Sequence, residues 1–145
     1  MIFKRIEESE IDIDDWFWLK KVADILPCDY NGVDLVRMIA ARELFLFRFQ
    51  EKCQGLILVE IRKHPGGSEL YIFALVGKGL LKNSKEIHQE IMNMAKAANC
   101  RWVGGIAIRK GLQVLYEKVL HARPLGVAFL QEIEPWSAAA EKPKQ

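Results

Sequence analysis

The chain has 145 residues, half of them hydrophobic, which is enough to bury one sizeable core and gives no reason to expect a second. Its 21 lysines and arginines nearly balance 19 aspartates and glutamates, and no block of five like charges occurs. That net charge of +2 argues against a nucleic-acid binder.

Cys28, Cys53 and Cys100 are odd in number, far apart, and in none of the spacings used by zinc sites or disulfide frameworks. They are expected as reduced thiols in a cytoplasmic protein. His64, His88 and His121 share no metal-ligand spacing either, so no metal is assigned. The opening Met-Ile-Phe-Lys-Arg-Ile turns acidic at Glu7 and Glu8 before a signal-type apolar run develops. The longest uncharged apolar stretch, Leu70 to Gly77, is too short to cross a bilayer, so no membrane association is expected.

In chain order, Ile2 to Ile6 alternates as a short first strand. Asp12, Asp14 and Asp15 suit a helix start, and Trp16, Leu19, Ala23 and Leu26 follow at helical spacing until Pro27. A shorter second helix fits Val33 to Ala41. The period changes at Leu44 to Phe49, which pairs with Leu56 to Ile61 as a hairpin. His64-Pro-Gly-Gly-Ser68 turns the chain again into Leu70 to Val76, whose unbroken apolar character predicts a central strand covered on both faces. Asn83 and Glu86 read as a capping box opening a third helix, with Ile87, Ile91, Met94, Ala95 and Ala98 as its stripe. Trp102 to Ile108 predicts a buried strand, Leu112 to Val119 a fourth helix, and Val127 to Ile133 a last strand. Residues 1–136 are expected as one folded domain and residues 137–145 as a polar tail with little to bury.

This α/β order, β-α-α-β-β-β-α-β-α-β with a mixed and mostly antiparallel central sheet, resembles the GNAT (N-acetyltransferase) superfamily. Two stretches add to the likeness: Ser84 to Cys100 looks like the family's third helix, and Leu115-Tyr-Glu-Lys-Val119 like a segment of its fourth. The resemblance implies an acetyl-CoA pyrophosphate loop between the fourth strand and third helix, with the pattern Gln/Arg-x-x-Gly-x-Gly/Ala. Here the length-preserving positions read Gly79-Leu-Leu-Lys-Asn-Ser84, so Lys82 stands for the first glycine and only Ser84 is small. A second register, with Gly77-Lys78-Gly79 as the Gly-x-Gly, puts Ala74 in the Gln/Arg place inside the strand. Val76, Gly77, Lys78, Gly79, Lys82, Asn83 and Ser84 are therefore the candidate cofactor-binding residues. Side chains in place of glycine, and an Asn83 cap on the helix amides, imply weak or lost acetyl-CoA binding, while Lys78, Lys82 and Lys85 could still draw an anionic cofactor.

The resemblance also implies that Tyr116 serves as the acid for the departing thiolate. Glu60 and Glu69, late in the third strand and at the entrance to the fourth, are the candidate bases for an amine. Trp16, Phe17 and Trp18 are too many large aromatics for one helix stripe; Trp16 is expected inward, and Phe17 and Trp18 outward as a contact for a protein partner. Two functions stand. One is a GNAT-like protein with a degenerate site acting through protein-protein interaction, with a homo-oligomer open. It loosely resembles the accessory and virion-associated proteins of short-tailed bacteriophages, a comparison resting on Trp102-Val-Gly-Gly before a basic helix start. The other is an active acetyl-CoA-dependent N-acyltransferase with an atypical loop.

Overall fold

The computed structural model describes residues 2–26 and 30–105. Tyr116, Cys28, His121, the fourth helix, the last strand and the tail lie outside the described residues. Within them the elements run β1 (Phe3–Ile6), α1 (Ile13–Ile25), α2 (Gly32–Ala40), β2 (Phe45–Phe49), β3 (Gln54–His64), β4 (Gly67–Lys78), α3 (Ser84–Ala97) and β5 (Trp102–Gly105). A single 3-10 turn, Glu8–Glu10, precedes α1.

The strands form one sheet in the order β1-β2-β3-β4-β5, antiparallel from β1 to β4. β5 then pairs parallel to β4, which the crossover through α3 makes possible. Side-chain alternation divides the core in two. Ile57, Val59, Leu70, Ile72 and Leu75 meet Ile87, Ile91 and Ala95 of α3 on one face. Leu46, Leu56, Leu58 and Ala74 meet Leu19, Val22, Leu35 and Ile39 of α1 and α2 on the other. β4 is thus covered on both faces, as its apolar run requires.

α1 begins with a reciprocal cap. Asp12 Oδ1 accepts the Asp15 N–H at 2.9 Å, and Asp15 Oδ2 accepts the Asp12 N–H at 3.0 Å. The Asp15 N–H, helped by Arg48 and opposed by burial, holds the Asp12 carboxyl below the usual aspartate range. Asp12→Ala is expected to cost about 1 kcal/mol in urea unfolding at neutral pH. Because the folded value is lowered, the charged cap's contribution is full above the ordinary aspartate range and lost as pH falls through that folded value. The gap between wild type and Asp12→Ala should therefore narrow in acid.

Three sequence expectations change. The inward face of α1 carries Asp15, Leu19 and Val22, while Trp16 is exposed and Trp18 is half-buried against the α1–α2 side of the core. Trp16 is displaced because Asp15 takes the inward place to meet Arg48 of β2. In α3, Ala98 is exposed and Ser84 takes a buried position. β5 is only partly covered where described, with Trp102 40% exposed.

Gly55 and Gly77 face each other across the β3–β4 pair with positive φ. A Cβ on Gly55 would run into the Val76 carbonyl, and one on Gly77 into the Gln54 carbonyl, so both are glycine for close strand approach. A bulge follows inside β4: Leu58 pairs with Ala74 and Val59 with Ile72, leaving Phe73 as the extra residue.

Candidate active site

At one end of β4, the turn from Gly79 to Asn83 leads into α3. Three donors converge on the Gly79 carbonyl: the Asn83 N–H at 3.2 Å, the Asn83 side-chain Nδ2 at 2.8 Å, and the Cys53 thiol at 3.4 Å. Gly79 itself has φ of 80°, a left-handed conformation that suits glycine. Burial pushes the Cys53 thiol up, so it stays a protonated donor.

This corrects the expected capping box. Asn83 precedes the helix, but its side chain caps no α3 amide; it is spent on Gly79. Glu86 is not turned back on the cap either, because both of its carboxylate oxygens bind Lys52 Nζ, at 2.8 and 2.7 Å. Among the described residues, the Lys85 and Glu86 N–H groups in the first turn have no acceptor. Lys78, Leu81, Lys82 and Lys85 are exposed there, and Ser84 is buried. Val76 packs toward the α1–α2 core, and Gly77 is accounted for by its contact with Gln54 and Gly55, which leaves Gly79 to Lys85 as the open turn.

Beyond the bulge, β3 and β4 carry polar side chains on the face that holds Leu56 and Leu58 further in. The run from Lys78 back to Ile72 is six steps along the chain, about 20 Å of strand. Glu60 stands opposite Tyr71, and Arg62 opposite Glu69. Glu60 Oε1 accepts from Arg62 Nε at 2.9 Å and lies 2.8 Å from Arg62 Nη2, while the guanidinium sits 3.4 Å over the Tyr71 ring. Burial raises the Tyr71 hydroxyl, with Arg62 partly opposing, so it remains a donor through neutral pH.

Glu69 is bound differently. Its Oε1 lies 2.8 Å from His64 Nε2, and its side chain is 18% exposed. Its carboxylate leans over Gly104 of β5, where a Cβ would strike Glu69 Oε2. The expected candidates Glu60 and Glu69 therefore share one face. His64, Arg62 and Tyr71, which sequence reasoning did not select, belong to the same group.

A separate groove of about 490 Å³ opens between α1 and the start of α2, lined by Ile13, Trp16, Phe17, Lys20, Ala23 and Val33 among others. Phe17 is 53% exposed there, and the Trp16 ring lies against Gly32. Of the two expected partner residues, Phe17 faces solvent. Trp18 is only half-exposed, because it packs against the core.

No protein-family model matches the chain, and no curated protein matches its sequence. Solved structures match its shape. A ribosomal-protein-alanine N-acetyltransferase from Brucella melitensis biovar Abortus 2308 superposes with a TM-score of 0.69 at 10% identity, covering 92% of this chain and 100% of the other. A predicted acetyltransferase from Clostridium acetobutylicum, solved with acetyl-CoA, gives 0.56 at 14% identity over 92% of each chain. Glucosamine-6-phosphate N-acetyltransferase from Arabidopsis thaliana gives 0.55 at 13% identity, covering 92% of this chain and 100% of the other. Identities this low carry the fold and not the chemistry. The switch from antiparallel to parallel pairing at β4, the helix that makes the crossover and these superpositions give the chain the GNAT fold.

Proposed function

We propose that the chain is an acyl-CoA-dependent N-acyltransferase whose phosphate-binding turn has Lys82 in place of the family pattern's first glycine and is flanked by Lys78 and Lys85. The observation that carries this reading is the start of α3, where Asn83 braces Gly79 and leaves first-turn amides unclaimed among the described residues. Helix N-terminal amides and their dipole favour an anion, and the exposed Lys78, Lys82 and Lys85 add positive charge around it. Lys52 neutralises Glu86, the acidic group that would otherwise oppose an anion there.

The residues of the turn after β4 fit the phosphates of the group. Lys82, Lys85 and the first-turn amides would hold the phosphates, and bound acyl-CoA would supply a thioester for transfer to an amine. The Phe73 bulge leaves a backbone group out of the ladder between the turn and the carboxylates, a common device beside active sites. Glu69 is the base in this reading, since Glu60 is committed to Arg62. Tyr116 keeps the acid role that its resemblance implies.

The test is release of free thiol from acetyl-CoA on addition of amines, using small primary amines, a peptide with a free N-terminus and a lysine peptide. Amine-dependent release supports the reading, and none with any acceptor sinks it. The exposed groove at Phe17 favours a second role in holding a protein partner. Loss of a co-purifying partner in Phe17→Ala, with the fold retained, would support that role; unchanged retention would count against it.

A further inference from the structure

The His64–Glu69 pair is built by three elements that meet at the β3–β4 hairpin. His64 ends β3, Glu69 enters β4, and Trp102 opens β5 directly opposite Glu69. The hairpin tip is fastened to β5: the Arg101 N–H donates to the Ser68 carbonyl at 2.8 Å, and Arg101 Nη1 donates to the Gly66 carbonyl at 3.2 Å. Gly66 and Gly67 leave the room that Trp102 and Arg101 fill, since a Cβ on Gly66 would sit 3.3 Å from the Trp102 ring. The Trp102 ring then meets the His64 imidazole edge-on, with centroids 5.9 Å apart. With the imidazole fixed in this way, one Glu69 oxygen is held and the other lies over Gly104.

We infer that His64 is a positioning residue: it holds Glu69 Oε1 so that Oε2 rests over Gly104 and takes the proton from an acceptor amine. The inference rests on the acyltransferase reading. In the reaction the amine nitrogen forms its bond to the acyl carbon as the carbon–sulfur bond breaks, the nitrogen gives a proton to Glu69, and the departing thiolate takes one up. Among the described residues, the charged groups near the pair are Arg62, opposite Glu69, with Glu60 bound to it on β3, and Arg101, whose guanidinium lies over the Trp102 ring. Arg62 is engaged by Glu60 and Tyr71, which leaves His64 as the recorded partner of Glu69 among the described residues. Gly104 also gains a reason: any side chain there would occupy the position of the Glu69 carboxylate.

Two measurements separate this inference from the reading beneath it. Nitrogen-15 shifts of the His64 imidazole, taken on the free protein at a pH where the ring is neutral, should show the Nε2–H tautomer almost alone in wild type and a shift toward the tautomer mixture of a free imidazole in Glu69→Ala. In the thiol-release assay, His64→Ala should lower kcat by about 10-fold or more with KM for acetyl-CoA unchanged. His64→Gln, whose amide can still donate to Glu69, should recover much of the rate. A tautomer indifferent to Glu69→Ala, or equal kcat in wild type and His64→Ala, overturns the role of His64. Absence of thiol release by wild type overturns the acyltransferase reading, and the tautomer result then still decides whether the pair exists.

Discussion

Glu69→Gln is expected to slow acyl transfer by about 10²-fold or more, the scale on which a positioned general base contributes. The substitution keeps the shape of the side chain and its place over Gly104, so a large loss would report on the proton and not on packing. Glutamine can still accept from His64 through its amide oxygen, which leaves the hairpin fastened by Arg101 and Trp102. Glu60→Gln should have a smaller effect, because Glu60 serves Arg62 and through it the Tyr71 ring. Rates measured with saturating acetyl-CoA and amine check the order. If Glu60→Gln were the more damaging of the two, the base would have been placed on the wrong strand.

Arg48→Met is expected to cost about 3–5 kcal/mol of stability, because it strands the Asp15 carboxylate in the core. Asp15 is 2% exposed, and Arg48 holds it with two bonds, Nε to Oδ1 at 2.9 Å and Nη2 to Oδ2 at 2.5 Å. The same guanidinium donates to the Glu10 carbonyl at 3.2 Å, so it ties both α1 and the 3-10 turn to β2. The Asp15 bonds push the guanidinium further up from its ordinary value, so it stays charged at every accessible pH. Removing both charges in Asp15→Leu with Arg48→Met should recover much of the loss, since an apolar pair needs no compensating partner. Urea midpoints with unchanged slope measure it. A loss under about 1 kcal/mol in the single variant would mean that water reaches Asp15 after all.

Much of the sheet was legible because its signals are local. The aspartates at 12, 14 and 15, the Pro65-Gly66 breakers and the apolar run of β4 each act within a few residues, and the elements formed there, although β3 and β4 run further than their apolar cores, with His64, Gly67 and Ser68 inside the strands. What was missed depends on distance. The Asp15–Arg48 bond joins residues 33 apart, and nothing near either residue announces it, so Asp15 read as a helix-start carboxylate and Trp16 as core. The Asn83–Glu86 box followed its motif, but Cys53 and Lys52, from the loop before β3, made Gly79 and Glu86 the better partners. His64 looked like turn punctuation until β5 brought Trp102 beside it. The Gly77-Lys78-Gly79 pattern suggested a phosphate loop, although Gly77 answers to Gly55 across the strands.

Calorimetric titration of acetyl-CoA into the wild-type protein and into the variant carrying both Lys82→Glu and Lys85→Glu tests the central claim most directly. The account predicts micromolar binding by wild type, about −8 kcal/mol. It also predicts at least a 10-fold weakening in the charge-reversed variant, and a wild-type affinity that falls as salt screens the exposed lysines. Wild-type binding no tighter than about 1 mM, or equal affinity in both proteins, would contradict an anion site at the start of α3.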